Sequence, residues 1–165
     1  MRDPNFERAV VLLCQYSLEG ALGLVINRDG GPSLEVVLEG LSLEAGPDAR
    51  GQTWWGGPVD RNTGFVIWRG RVSDDEGWSL GEIAVSPSME RLHQLVASGT
   101  PFHLCLGYAG WAPRQLDEEI AQGSWLYADI DPSLVFDTPL PDRYDSALAL
   151  LGLKADSVWM LPVNE

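Results

Sequence analysis

The chain has 165 residues, of which 45% are hydrophobic and 21% charged, so it is long enough to bury a core and is expected to form a single domain over residues 1–165. Its 24 acidic and 11 basic residues give a formal net charge of −13 at pH 7, which argues against direct binding to nucleic acid or to an anionic membrane and leaves a cationic protein partner open. No apolar run approaches the roughly 18 residues of a membrane span, no signal-peptide pattern opens the sequence, and Cys14 and Cys105 lie in apolar segments, so we expect a cytoplasmic protein with reduced thiols.

The N-terminal part of the chain is predicted to form a β-hairpin. Val10–Leu13 is a continuous apolar run, which is typical of a strand buried on both faces. Tyr16–Gly20 has the composition of a turn, and Ala21–Ile26 is a second apolar run that we expect to pair with the first. The polar, glycine-rich segment Asn27–Pro32 then predicts a loop.

A short amphipathic helix and further strand segments follow. Ser33 has the side chain of an N-cap, and Gly40 can end the helix. The apolar residues of this helix recur at i, i+3, i+4 and i+7, which predicts one buried face: Leu34, Val37, Leu38 and Leu41. After a loop over Glu44–Gly51, the next predicted strands are Gln52–Trp55, ended by Gly56-Gly57-Pro58, then Phe65–Trp68, and two short pieces between Trp78 and Val85.

The C-terminal half combines helices with short strands. Ser86 and Pro87 are the predicted N-cap and first residue of a helix that ends at Gly99. Phe102–Leu106 is a predicted strand that leads into a turn over Gly107–Trp111. A helix is predicted from Pro113 to a C-cap at Gly123, followed by a strand over Trp125–Tyr127. A last helix is predicted to end at Gly152, with these residues on its apolar face: Tyr144, Ala147, Leu148 and Leu151. The apolar segment Trp159–Leu161 follows it. This order of elements predicts an α+β domain with a mixed or antiparallel sheet.

Four segments occur in order along the chain: Asp3–Val10, Gly20–Arg28, Gly56–Val59 with Gly64–Val66, and Gly107–Trp111 followed by Gln115-Leu116, Glu119-Ile120 and Trp125-Leu126. Together they resemble the YqgE/AlgH family of small bacterial proteins. The resemblance implies an α+β fold with a branched sheet curled into a pseudo-barrel and flanked by helices. It implies little about chemistry, because the family is largely uncharacterised, although one branch carries the label of transcriptional regulator of polysaccharide synthesis.

The resemblance also implies a further strand at the N-terminus. Family members usually begin with a short apolar strand ahead of the Asp-Pro motif, whereas this sequence begins Met1-Arg2-Asp3. Without that strand its neighbour becomes an exposed sheet edge, and we expect lower solubility or dimerisation through that edge.

Two glycine-rich aromatic segments are candidate sites. Gly56-Gly57-Pro58 can form an anion-binding backbone nest, although its composition favours a strand-ending turn. The corner from Gly107 to Leu116 joins a strand end to a helix N-terminus, where ligands often bind, but it can also be a packing corner. With polar residues that flank the strands, and that can equally satisfy turn backbone, the candidate surface comprises Asp3, Asn27, Arg28, Gly56, Gly57, Pro58, Tyr108, Gly110, Trp111 and Gln115.

The other reactive side chains favour packing roles. Cys14 and Cys105 lie in apolar strands, where a lowered thiol pKa is not expected. His103 and Cys105 share one strand face, but a zinc site needs three or four ligands and the chain has two His and two Cys. We therefore expect no metal, cofactor or catalytic set.

Three functions follow as hypotheses. The favoured one is a non-enzymatic protein that binds a protein partner or small ligand through the candidate surface. The second is a transcriptional regulator, although the net charge of −13 argues against direct DNA contact. The third is an enzyme with a cleft between the two glycine-rich turns.

Overall fold

The computed structural model describes residues 6–44 and 51–151. Asp3, Gly152, Trp159–Leu161 and most of the predicted Glu44–Gly51 loop lie outside the described residues. In the described part, eight strands form one sheet: β1 (Val11–Ser17), β2 (Gly20–Val25), β3 (Asp29–Ser33), β4 (Gln52–Trp55), β5 (Val59–Arg69), β6 (Trp78–Leu80), β7 (Ile83–Ser86) and β8 (His103–Trp111). The α-helices there are α1 (Leu34–Gly40), α2 (Met89–Ser98), α3 (Gln115–Ala121), α4 (Pro132–Phe136) and α5 (Arg143–Leu150), with a 3₁₀ turn over Leu140–Asp142.

The sheet is branched and nearly closes into a barrel. Its main path runs β1-β2-β8-β5-β7-β6, with every neighbouring pair antiparallel. The branch consists of β4, which lies parallel to β8, and β3, which pairs with β4. β1 and β6, the two ends of the path, approach each other. The predicted α+β fold, with a mixed, branched sheet curled into a pseudo-barrel and flanked by helices, is confirmed.

Three apolar clusters hold these elements together. The inner cluster fills the space enclosed by the sheet and by α4, and includes Trp54, Phe65 and Cys105. The α2 cluster packs α1 and α2 on the outer face of β5, β7 and β8, around Trp68. The α3 cluster packs α3 on β2 and β8 around Trp111. Burial of this apolar surface is the main stabilising contribution to the fold.

The N-terminal hairpin of β1 and β2 is confirmed, but two details of its surroundings were predicted wrongly. β1 is not buried on both faces, because Leu12 and Cys14 point into the inner cluster while the side chain of Leu13 is 36% exposed. Asn27–Pro32 is not a loop throughout, because Asp29–Ser33 forms β3. The hydroxyl of Thr53 donates to the Pro32 carbonyl at 2.8 Å, and a strand at the edge of a branch tolerates the proline that lacks an N–H.

The largest correction concerns Gly107–Trp111, which is strand and not turn. β8 continues to Trp111 because β2 supplies a new partner, with Ala109 opposite Gly23 and Trp111 opposite Ala21. Gly107 has φ +80° at the point where the strand changes neighbours, a backbone conformation that glycine adopts without strain.

Other boundaries also differ from the prediction. Ser88 is the N-cap of α2, because the hydroxyl of Ser86 instead accepts from Ser88 N at 3.0 Å and donates to Glu76 O at 2.9 Å. α3 begins at Gln115, after Arg114 at φ +66°, and not at Pro113. Trp125–Tyr127 has no ladder partner among the described residues and is irregular, and β5 is longer than the predicted Phe65–Trp68.

Candidate functional site

The two glycine-rich segments meet in direct backbone contact. Gly56 N donates to Leu106 O at 2.8 Å, and Gly56 O accepts from Val25 N at 2.8 Å, so this glycine joins β8 to β2. A Cβ on Gly56 would lie 2.3 Å from Gly107 O, and one on Gly57 would lie 2.1 Å from the carbonyl carbon of Tyr108. The glycines are needed for this close approach. At Gly56 and Gly57 the first segment is in direct backbone contact with Gly107 and Tyr108, so at these positions there is no space for the cleft that the enzyme hypothesis required.

The aromatic residues of the second segment lie on opposite faces of β8. Tyr108 packs against the inner cluster, with its ring 6.0 Å from that of Phe65. Trp111 belongs to the α3 cluster, where its indole lies 5.8 Å from that of Trp125 and donates to Glu119 Oε1 at 3.3 Å. Alternate side chains of a strand point to opposite sides. Tyr108 and Trp111 therefore do not line one common surface.

The polar candidates bind backbone groups of neighbouring loops. Asn27 accepts from Val10 N at 2.8 Å and donates to Arg8 O at 2.8 Å, while Arg28 donates to Glu7 O at 2.6 Å. Gln115 Oε1 accepts from Ala112 N at 2.9 Å just before α3.

The structure does not collect the candidate residues into one site. Pro58 and Gly110 are exposed, and Asp3 lies outside the described residues. Trp111 is the member of the predicted set that lines the groove described below. A binding role for the other members stays a prediction.

The thiols and the imidazole of the inner cluster are held in their neutral forms. Burial raises the pKa of the Cys14 thiol to about 12, and burial likewise raises the pKa of Cys105. Burial, and then the charge of Arg143, lower the pKa of His103 to about 4. Within residues 6–44 and 51–151, no group of three or more His, Cys, Asp or Glu side chains is arranged to hold a metal ion.

An open apolar groove of about 810 Å³ lies along β1. Its floor is the N-terminal half of β1 with the residues before it. One wall consists of α3 and the irregular segment 125–131, and the other of α4 and α5. The lining side chains that matter most are Leu13, Trp111, Leu116, Leu126, Tyr127, Ile130, Leu134 and Leu148. Leu126, Tyr127 and Ile130 are exposed although apolar, which is unusual for three neighbours on one short segment.

Within the described part of the chain, the charged side chains that line this groove are all acidic. They are Asp117 at the start of α3 and Asp129 and Asp131 on the irregular segment. Asp131 also caps α4 by accepting from Ser133 N at 3.0 Å. The groove thus combines apolar walls with a negative rim.

Sequence reasoning missed this groove because its walls come from distant segments. The one local signal was Trp125–Tyr127, whose apolar character predicted a strand, whereas the structure leaves Leu126 and Tyr127 exposed beside β1. No helix in the described part of the chain is both long and apolar enough to cross a bilayer.

The fold and the groove define a small α+β protein with a branched, nearly closed sheet and an open apolar groove. A family model described as AlgH-like (DUF179) matches residues 1–156. The UPF0301 protein AlgH of Pseudomonas aeruginosa is 40% identical over 158 residues, which cover 93% of this chain and 84% of that protein. A UPF0301 protein of Idiomarina loihiensis is 39% identical over 174 residues, covering 98% and 89%. The chain therefore belongs to the AlgH-like family.

Two solved structures share the fold. The solution structure of AlgH from Pseudomonas aeruginosa matches with a TM-score of 0.78 at 36% identity, covering 98% of this chain and 88% of that one. A crystal structure of a protein from Corynebacterium diphtheriae matches with a TM-score of 0.68, covering 90% of this chain and 80% of that one, at an identity of 21% that supports likeness of fold alone.

Proposed function

We propose that this protein is a non-enzymatic binding protein whose groove holds an apolar segment of a partner protein. The observation that carries the proposal is the open groove of about 810 Å³ beside β1, with apolar walls from four separate parts of the chain. Contiguous exposed apolar surface of this kind is characteristic of interaction sites.

The chemistry of the groove favours a protein segment over a small metabolite. A small-molecule site usually has a few buried polar groups that orient the ligand. Here the charged side chains are carboxylates at the rim, and the apolar walls run along strand β1, which forms the floor. A chain segment with apolar side chains and neighbouring lysines or arginines complements both features. The net charge of −13 supports the same partner and disfavours nucleic acid.

The neutral forms of Cys14, Cys105 and His103 support a role without catalysis. A nucleophilic cysteine needs a lowered pKa, and both thiols have a raised one. The ring of His103 is stacked on Trp54, 4.2 Å between centroids, and does not face the groove.

The test is a peptide-display screen against the purified full-length protein, followed by dissociation constants for the selected peptides. Leu126 and Ile130 are exposed in the groove, so the double variant Leu126→Ser, Ile130→Ser removes apolar contact with little effect on folding. Leu18, 92% exposed at the β1–β2 turn, provides the matched control Leu18→Ser outside the groove. We expect the double variant to bind at least tenfold more weakly than the control. No selected peptide, or equal binding by the double variant and the control, would refute the proposal.

A further inference from the structure

The free edge of β1 determines how a segment can lie in this groove. Val10 O accepts from Ile26 N at 2.9 Å and Val10 N donates to Asn27 Oδ1, so both backbone groups of Val10 face the β2 side. Backbone direction alternates along a strand, so Leu12 also faces β2, whereas the N–H and C=O groups of Val11 and Leu13 point away from it. No described residue pairs with these four groups.

The unpaired edge runs along the floor of the apolar groove. Val11 packs towards the α3 cluster, and Leu12 on the other face belongs to the inner cluster near Leu134. A strand added beside β1 therefore directs alternate side chains to two walls, one formed by Trp111 and Leu116 and one formed by α4 and α5. Both walls are apolar, so both sets of side chains in the central part of the added strand should be apolar.

The rim determines the flanks of the added segment. The carboxylates of Asp117 and Asp129 make no hydrogen bond or ion pair with another described residue, and no Lys, Arg or His of residues 6–44 and 51–151 lines the groove. Cationic side chains at the ends of the segment would complement these carboxylates. Such pairs at a solvated rim increase the rate of association and weaken with salt.

We propose that the partner segment binds as an additional β-strand on β1, with apolar residues at its centre and lysine or arginine at its ends. The mode is strand addition, in which backbone hydrogen bonds give affinity and the side-chain pockets give specificity. This inference rests on the proposed function, since it specifies the class of segment and the geometry of binding in the same groove.

The probe is a short synthetic peptide of alternating valine and alanine with two lysines at each end, titrated into the full-length protein. A twin with glutamates at its ends is the charge control. We expect the lysine peptide to bind at least tenfold more tightly at low salt and the difference to shrink at high salt. Hydrogen exchange should show new protection at the amides of Val11 and Leu13, whereas that of Leu12 is already bonded to β2.

The variant Leu13→Pro removes the outward N–H without breaking a bond to β2, and Leu13→Ala is its control because it also loses the side chain but keeps the donor. Strand addition predicts that the proline variant loses at least tenfold in affinity relative to the alanine variant. Equal binding by the proline and alanine variants would overturn strand addition. Equal binding by the lysine and glutamate peptides would overturn the cationic ends of the segment. Either result would leave the proposal of an apolar ligand in the groove in place. Val11 and Leu13 amides already protected in the free protein, through another part of the chain or a second copy, would also overturn it. Absence of binding by the lysine peptide and by every displayed peptide would instead remove the proposed function.

Discussion

The guanidinium of Arg143 lies over the indole of Trp54, 4.2 Å from the ring centroid, although the residue is only 3% exposed. It donates to three backbone carbonyls, those of Ile26, Val135 at 2.8 Å and Thr138 at 2.9 Å. No carboxylate pairs with it among the described residues. Arg143 thus ties the end of β2 to α4 and to the start of α5, which form one wall of the groove.

Replacing Arg143 by methionine should lower the free energy of unfolding by about 3 kcal/mol. Methionine fills part of the space but removes the donor from three carbonyls, of which those of Ile26 and Val135 are buried, and each unsatisfied buried group is costly. Urea denaturation is the measurement. Arg143→Lys keeps the charge but reaches fewer carbonyls, so its stability should fall between methionine and wild type. Exposed Arg71, with a single long bond of 3.4 Å to Gly81 O, provides the control Arg71→Met, expected to change stability by less than about 0.5 kcal/mol. Equal losses at both positions would contradict the structural role of Arg143.

His103 should make the protein less stable as the pH falls from 6.5 to 4. Burial first, and the charge of Arg143 second, lower the pKa of His103 from 6.5 to about 4. Between these values the unfolded chain binds a proton that the folded chain does not. The contribution of His103 to stability is therefore complete above pH 6.5 and is lost towards pH 4, by up to about 3 kcal/mol.

The variant His103→Phe isolates this contribution, because phenylalanine can keep the stacking on Trp54 and Phe136 without titrating. The measurement is urea denaturation at pH 7 and pH 4.5. We expect the loss of stability between the two to be about 2 kcal/mol smaller in the variant than in the wild type. The same loss of stability in both proteins would show that groups other than His103 cause the decrease in stability between pH 7 and pH 4.5.

The hairpin and α1 could be predicted because their signals are local, whereas α4 was not predicted. The turn between β1 and β2 and the apolar period of α1 depend on neighbouring residues, and both were predicted nearly correctly. Gly107–Trp111 failed because glycine followed by aromatic residues reads as a turn, whereas β2, remote in sequence, supplies the pairing that keeps the segment extended. The pairing of strands that are remote in sequence cannot be derived from local patterns in a single sequence.

The close approach at Gly56 can be tested by adding one methyl group. The variant Gly56→Ala would place its Cβ 2.3 Å from Gly107 O, between backbone atoms that cannot move away easily. We expect a loss of about 3 kcal/mol in the free energy of unfolding. The control is Gly40→Ala at the end of α1, where no atom lies within 4 Å and alanine favours the helix. Similar stabilities of the two variants would mean that the backbones of β4 and β8 can move apart at Gly56 to accommodate a methyl group.

The candidate surface was harder to predict than the fold. Asn27 and Gln115 were polar residues next to strands and turns, and the alternative weighed for such residues, that they satisfy nearby backbone, describes the contacts that they make. The groove depends instead on exposed apolar residues such as Tyr127 and Ile130, which carry no motif. Their exposure results from tertiary packing around β1, and the apolar period alone does not indicate it.

The two cysteines should be unreactive in the folded protein. Cys105 is fully buried and Cys14 is 7% exposed. With burial raising the pKa of Cys14 to about 12, roughly one molecule in ten thousand carries its thiolate at pH 8. A chromogenic disulfide reagent should therefore release almost no colour from the native protein and two equivalents in denaturing urea. The variant Ser17→Cys, on the exposed end of β1, is the positive control and should react at once.

Because native thiols become accessible only when the protein opens, the slow rate at which they react should rise with urea in proportion to the unfolded fraction. Rapid reaction of Cys14 or Cys105 without urea would mean that the inner cluster is open to solvent, and would restore a thiol-based activity as a hypothesis.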